Sequence, residues 1–178
     1  MSDEPKTNWV NFVALTTVIF AVGATLSTFK GGGFSTRSVI SQAQASDQWA
    51  YYQAKSIRAS MNELQKDNLS LQLAVLPHNA PREAKQHYED ALATTDRNIA
   101  KYKQQRQEIE TRARALEAER DDAQRHGRPF GLAVIFFQIA IVLCSITALF
   151  KRKELWFVAM AVGAVGMVFF ADGFWLFL

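Results

Sequence analysis

Apolar residues are concentrated in three blocks of the chain, at 9–29, 130–150 and 155–178. The first two blocks hold 21 residues each and no charged residue, and the third runs for 17 residues before it reaches Asp172. A membrane core about 30 Å thick requires about 20 apolar residues in a helix. The pattern therefore predicts three transmembrane helices.

The segment between the first two blocks is predicted to contain two long helices. Residues 36–76 contain neither glycine nor proline, and the same holds for residues 82–126. The sequence "LPHNAP" at 76–81 separates them, and its two prolines and asparagine indicate a turn. The chain is thus expected to fold back on itself at this turn, with the two helices antiparallel.

Apolar residues recur at heptad spacing on both of these helices, which is typical of a coiled coil. On the second helix the two series are Tyr88, Thr95, Tyr102, Ile109, Leu116, Ala123 and Leu92, Ile99, Arg106, Ala113, Arg120. The face predicted for the first helix comprises Val39, Ala43, Ser46, Ala50, Gln53, Ile57, Met61, Leu64 and Leu71. Folding at residues 78–79 would then bring Leu64 near Leu92 and Ile57 near Ile99.

These patterns predict an all-α membrane protein with three transmembrane helices and a long antiparallel coiled-coil helical hairpin. In chain order the segments are an N-terminal tail at 1–8, a transmembrane helix at 9–29, a glycine-rich hinge at 30–35, the hairpin at 36–127, a transmembrane helix at 130–150, a short basic loop at 151–154 and a transmembrane helix at 155–178. The residues that precede the first block include Asp3 and Glu4 beside Lys6. Because a signal peptide begins with a positively charged region, we expect the first block to be retained as an anchor.

The basic loop "KRKE" at 151–154 predicts the orientation, because short cationic loops stay in the cytoplasm. By parity the N-terminus is cytoplasmic, and the hairpin and the C-terminus are periplasmic if the protein lies in a bacterial inner (cytoplasmic) membrane. Lys30 and Arg37, which follow the first block, argue weakly for the opposite orientation.

Charge excludes nucleic acid as an expected partner. The chain carries a net charge of +3, but residues 36–127 hold 14 basic and 13 acidic residues. The excess of positive charge flanks the apolar blocks, and no basic face is available to follow phosphates. Cys144 is the single cysteine, so no intrachain disulfide can form.

The stretch "DQWAYYQAKSIR" at 47–58 places three aromatic residues, Trp49, Tyr51 and Tyr52, within four positions. In the folded-back register, Trp49 and Tyr52 lie near Arg106 and Ile109, and an aromatic ring packs well against an aliphatic side chain or under a guanidinium group. We expect these five residues to be packing or interaction residues. An interface with another copy or with a partner protein remains the alternative to packing within the chain.

The order of an apolar N-terminal block, "WAYYQAKSI", a charged helical stretch and two closely spaced apolar blocks resembles the bacterial membrane proteins grouped as domain of unknown function 4337. The resemblance covers nearly the whole chain and implies a membrane-bound prokaryotic protein with no assigned activity. It implies no catalytic residue.

Residues that could carry chemistry are few. Glu83, His87 and Asp90 share a helix face, but no second histidine or thiolate accompanies them, so neither a metal nor any other cofactor is expected. Gln138 and Asp172 are the candidate intramembrane polar residues, with Asp172 expected near the membrane interface. Ala159, Gly163 and Gly166 give the third span a small-residue face suited to close helix packing.

The expected function is non-enzymatic. We expect a structural, scaffold or protein-interaction component that acts through its coiled coil and through self-association. Its partners would be the lipid bilayer, further copies of the chain or another membrane or periplasmic protein. The alternative is a subunit of a membrane channel, transporter or sensor complex whose pathway is lined by the transmembrane helices.

Overall fold

The computed structural model describes residues 8–177, which form three helices. Helix α1 spans Asn8–Val75, α2 spans Arg82–Phe150 and α3 spans Lys153–Trp175, and no strand occurs in this part of the chain. The predicted all-α class is confirmed. Residues 1–7 of the predicted tail and Leu178 at the end of the third predicted span lie outside the described residues.

Each of the three helices contains a segment long and apolar enough to cross a membrane. Helices α1 and α2 include the predicted blocks 9–29 and 130–150, whereas α3 ends at Trp175, before the predicted end of the third block. The predicted boundaries of spans and hairpin therefore do not coincide with helix ends. Helix α1 continues from the first block to Val75, and α2 continues from Arg82 through the second block.

The structure corrects the prediction of a glycine-rich hinge at 30–35, because these residues lie inside α1. Glycine is about 1 kcal/mol less favourable than alanine in a helix interior, and this cost is small against the backbone hydrogen bonds that a break would remove. Gly31 also packs closely on α2, where a Cβ atom at Gly31 would lie 3.1 Å from Cβ of Phe130.

The described residues divide into two compact units. The first, called the three-helix unit, contains the residues up to Ile40 and those from Glu119 onward. Its core is a cluster of buried residues from all three helices: Val13, Phe20, Ala133, Phe137, Ala140, Cys144 and Ala159. The rings of Phe20 and Phe137 stack with centroids 6.0 Å apart.

Glycines allow close helix packing within the three-helix unit. Gly163 lies directly against the ring of Phe20, and a Cβ atom at Gly166 would lie 3.0 Å from the ring of Phe137. Ala159, Gly163 and Gly166 are all buried in α3. The small-residue packing face predicted for the third span is therefore confirmed.

The second unit, called the two-helix unit, is Ser41–Ala118. It consists of the C-terminal part of α1, the turn and the N-terminal part of α2. The turn is closed by hydrogen bonds from the Ala80 amide to the Pro77 carbonyl (2.9 Å) and from the Ala84 amide to the Pro81 carbonyl (3.0 Å). Pro81 directly precedes α2, where proline is tolerated because an N–H at that position would have no partner within the helix.

The face of α2 predicted from the heptads is confirmed, since all eleven residues of its two series are buried or half-buried. The face predicted for α1 is wrong. All nine of its predicted residues, from Val39 to Leu71, are exposed. The face that is covered within the two-helix unit contains instead Ser41, Ala45, Gln48, Tyr52, Lys55, Ala59, Asn62, Leu69 and Leu73.

Polar partners and side-chain size explain the choice of face on α1. Trp49, Tyr52 and Lys66 each have a hydrogen-bonding or charged partner on α2. Small residues such as Ala45 and Ala59 leave room for the larger side chains of α2. A count of apolar residues favours the exposed face, but it omits both effects.

Candidate functional site

Trp49 and Tyr52 form a ring pair on α1 in the two-helix unit. Their ring centroids lie 5.5 Å apart with the planes at 74°, an edge-to-face arrangement favoured by the ring quadrupoles. The indole Nε1 of Trp49 donates a hydrogen bond of 2.9 Å to the Glu117 carboxylate on α2. This bond ties the half-buried ring pair to the second helix.

Arg106 contacts Tyr52 in two ways. Its Nη2 donates a hydrogen bond of 2.8 Å to the phenol oxygen, and its guanidinium carbon lies 4.8 Å from the ring centroid. The guanidinium therefore lies against Tyr52 and not against Trp49. Within the described part of the chain, Arg106 Nε and Gln105 Oε1 are buried atoms without a hydrogen-bond partner.

Tyr51 points away from this ring pair and is about half exposed. The ammonium group of Lys55 lies 5.0 Å from the centroid of the Tyr51 ring and 5.6 Å from that of Tyr102 on α2. A cation between two aromatic faces is attracted by both quadrupoles. Lys55 therefore connects Tyr51 to α2 while leaving one side of its ring in solvent.

Ile109 is only 5% exposed and belongs to the packed face of α2, with Ala113 one turn further along. Of the five predicted packing or interaction residues, Trp49, Tyr52, Arg106 and Ile109 lie within the packing of the two helices. Tyr51 is the one of the five that also presents a substantial surface to solvent.

Ion pairs accompany the packing of the two-helix unit. Lys66 and Asp96 approach to 2.7 Å across the two helices. The hydrogen bond to Asp96, together with its negative charge, raises the pKa of Lys66 above its ordinary value. On α2 alone, the hydrogen bond to Glu110 and then its charge raise the pKa of Arg114. Both cations are exposed to solvent, which screens these pairs.

Asp172, a predicted intramembrane polar residue, is only 5% exposed and closes the end of α3. Its Oδ1 accepts a hydrogen bond of 2.7 Å from the Phe177 amide, and its backbone carbonyl accepts one of 2.7 Å from the Leu176 amide. Leu176 adopts a left-handed conformation, with φ of 49°. Asp172 thus binds backbone donors that follow the helix.

Gln138, the other predicted polar residue, is exposed on α2. The structure therefore does not bring Gln138 and Asp172 to one shared face inside the three-helix unit. A polar pathway enclosed by the helices of a single chain is not formed by these two residues.

His126 is a residue that the sequence patterns did not single out. Its ring stacks on Phe34 of α1 with centroids 5.2 Å apart, and its Nδ1 donates a hydrogen bond of 2.9 Å to the Gly173 carbonyl of α3. It therefore joins all three helices of the three-helix unit. The sequence signal that could have identified His126 is its position one helical turn before Phe130, whose ring also stacks on Phe34.

Glu83, His87 and Asp90 line an open surface hollow together with Arg82 and Gln86. Among the residues that the structure describes, no three histidine, cysteine or acidic side chains are grouped so that they could hold a metal ion. The polar side chains described above act in packing, capping and ion pairing.

Comparison with known proteins gives one match. A family described as "Domain of unknown function (DUF4337)" matches residues 9–176. No curated protein and no solved structure matches the chain.

Proposed function

The chain belongs to the DUF4337 family of unknown function, and we propose that it is a non-enzymatic integral membrane protein with a scaffold or protein-interaction role. In this proposal the three-helix unit is the membrane anchor. The two-helix unit is an antiparallel coiled-coil hairpin that carries the interaction surface.

Exposed apolar side chains support the assignment of the three-helix unit to the membrane. Large aliphatic and aromatic residues are exposed on each of its helices, among them Leu15, Val22, Ile135, Val142, Phe157 and Val165. Soluble monomers rarely expose contiguous apolar surfaces of this kind. In a lipid bilayer such a surface is not exposed to water, so it carries no free-energy penalty.

We place the protein in a bacterial inner membrane with the N-terminus and the 151–154 loop in the cytoplasm. Lys151 and Arg152 connect α2 to α3, and both are exposed, as is Lys153 at the start of α3. Cations in short loops are favoured on the cytoplasmic side of a membrane. A cysteine at Asn79, in the turn of the two-helix unit, tests this. A membrane-impermeant maleimide should label Asn79→Cys in intact spheroplasts, whereas the parent chain, whose Cys144 is buried, should stay unlabelled. Labelling that requires lysis contradicts the orientation.

The interaction role is carried by one observation, the exposed apolar residues of α1 in the two-helix unit. Ile57, Leu64 and Leu71 are 62%, 64% and 64% exposed. They lie far along the chain from the first apolar block, so the bilayer segment of α1 does not include them. Apolar surface outside a membrane that the chain itself leaves uncovered is typical of a protein interface.

The test is the mass of the full-length protein in detergent, measured by light scattering, combined with crosslinking in native membranes. We expect a mass above that of one chain, or a crosslinked partner. A strict monomer that captures no partner would contradict the scaffold role.

The channel or transporter alternative has a direct test in liposomes. Gln138→Leu and Asp172→Asn are the informative variants, because they alter the two candidate intramembrane polar residues. An ion flux that depends on either residue would favour that alternative, whereas equal flux in the variants and the parent chain supports the scaffold role.

A further inference from the structure

The exposed face of α1 in the two-helix unit carries a second heptad repeat, which we call the outer stripe. Its residues form two series, Ala50, Ile57, Leu64, Leu71 and Ala54, Met61, Asn68, Val75. All eight are exposed. The steps along the stripe alternate between four and three residues, the spacing by which helices pack as knobs into holes.

Helix α2 does not cover the outer stripe, because it packs on a different side of α1. Tyr52 and Ala59 face α2, and Ile57 follows Tyr52 by five residues, which is about 140° around an α-helix. Any helix that packs on the outer stripe must therefore come from outside the two-helix unit.

Asn68 indicates what the partner is. In the heptad frame Ile57 and Leu64 occupy d positions, and Asn68 occupies an a position. A single asparagine at a, with Leu or Ile at d, specifies a parallel pair of helices in register, where the two amides bond to each other. An antiparallel pair with full overlap would place Asn68 against Ile57 and leave the buried amide without a partner.

Charges beside the outer stripe fit a second identical stripe. The flanking e and g positions are Tyr51, Arg58, Gln65, Gln72 and Gln53, Ser60, Asp67, Ala74. Only Arg58 and Asp67 are charged, and in a parallel pair their facing residues on the other helix are Gln53 and Gln72. No like charges meet across such a pair, so self-pairing carries no electrostatic penalty.

Insertion into a membrane also favours a parallel pair, and this step rests on the proposed function. Two copies inserted with the same topology leave the bilayer at the same end of the first span. Their outer stripes then follow in the same chain direction.

We propose that two copies of this chain associate in parallel through the outer stripe, with Asn68 facing Asn68 of the second copy. The contact is made by α1 from each copy, and Ile57 and Leu64 fill its centre. Self-association of the protein is thereby assigned to a defined face and register.

Cysteine crosslinking of the full-length chain in its membrane tests the register. Asn68→Cys should form a disulfide-linked dimer on mild oxidation. The matched control is Ser70→Cys, which is also exposed but lies on the opposite side of α1. We expect Asn68→Cys to crosslink at least about tenfold faster, because a positions face each other directly in a parallel pair.

Three crosslinking results would overturn the proposal. One is equal crosslinking of Asn68→Cys and Ser70→Cys. Another is a faster crosslink between Asn68→Cys and Ile57→Cys in a mixture of the two variants, which indicates an antiparallel pair. The third is a crosslink from Asn68→Cys to a different protein and none to itself.

Disruption of the stripe separates this inference from the proposed function. The double variant Ile57→Glu with Leu64→Glu should raise the dimer dissociation constant by at least about 100-fold, because it buries like charges at the centre of the pair. Ser70→Glu, which lies away from the outer stripe, is the control and should keep the dimer. A dimer that survives in the first variant overturns the outer stripe but leaves self-association in place. A parent chain that is monomeric and partnerless overturns both.

Discussion

The indole nitrogen of Trp49 lies 2.9 Å from the Glu117 carboxylate, across the two helices of the two-helix unit. Both side chains are half-buried, so the carboxylate has lost part of its water and the indole supplies a replacement donor. The bond also fixes which face of α1 meets α2, since Tyr52 and its partner Arg106 lie on the same side.

Replacing Trp49 with Phe should destabilise the two-helix unit by about 1.5–3 kcal/mol. The Glu117 carboxylate would lose its hydrogen-bond donor, and Tyr52 would lose part of its contact with the ring at position 49. Thermal unfolding followed by circular dichroism measures this. Glu117→Gln, which keeps an acceptor, should cost less. The control is Tyr51→Phe, whose phenol group makes no hydrogen bond to another described residue, and its unfolding should match that of the parent chain. A neutral Trp49→Phe variant would contradict the role of the bond.

Gly163→Ala should destabilise the three-helix unit by about 1–3 kcal/mol, because the added methyl group would overlap the Phe20 ring in a packed core. Gly131→Ala is the matched control, since a methyl group there meets nothing within 4 Å. Unfolding in detergent is the measurement. Phe20→Leu in the Gly163→Ala background should restore part of the loss, and a lack of any rescue would argue against the Gly163–Phe20 contact.

Gly32→Ala should stabilise α1 by about 1 kcal/mol, because alanine is the better helix former and the position is open. A flexible hinge at 30–35 would give the opposite result, since alanine would then restrict a joint that needs freedom. Gly31→Ala serves as the comparison. Its methyl group would crowd Phe130, so the stability gained from the higher helix propensity of alanine should be offset. Helix content and melting temperature together distinguish the two outcomes.

The Lys66–Asp96 pair should make a small contribution to stability that disappears in alkali. The pKa of Lys66 is raised above 10.5 in the folded state, first by its hydrogen bond to Asp96 and then by the charge of Asp96. The contribution is therefore fully present below the unfolded pKa and is lost as the pH rises through the higher folded value. The difference in unfolding free energy between the parent chain and Asp96→Asn should shrink across that range. A difference that is constant with pH would contradict this account.

Much of the helical organisation was predictable from local pattern. The apolar blocks, the proline-bounded turn at 76–81 and the heptads of α2 are all short-range signals, and each identifies a helix or a packed face without knowledge of the partner. The helical conformation of residues 30–35 was not predictable in this way, because three glycines indicate flexibility unless the neighbouring helical segments continue through them.

The candidate site was predictable in part. The folded-back register predicted that the rings of Trp49 and Tyr52 lie near Arg106. It did not predict the contact with Glu117, because one acidic residue among many on α2 has no local signature. The contact of His126 with Gly173 joins residues that are distant in sequence and follows only from the packing of α2 on α3.

The sequence alone determined that the chain is helical, where it turns and which residues of α2 lie in the packing, because these follow from periodicity and from the dihedral limits of proline. The tertiary structure decided which of two heptad faces of α1 meets α2. Both faces repeat every seven residues, and the choice depends on side-chain volume and on polar partners across the two helices. The face left outward is the more apolar one, and it is the surface to which we assign the second copy.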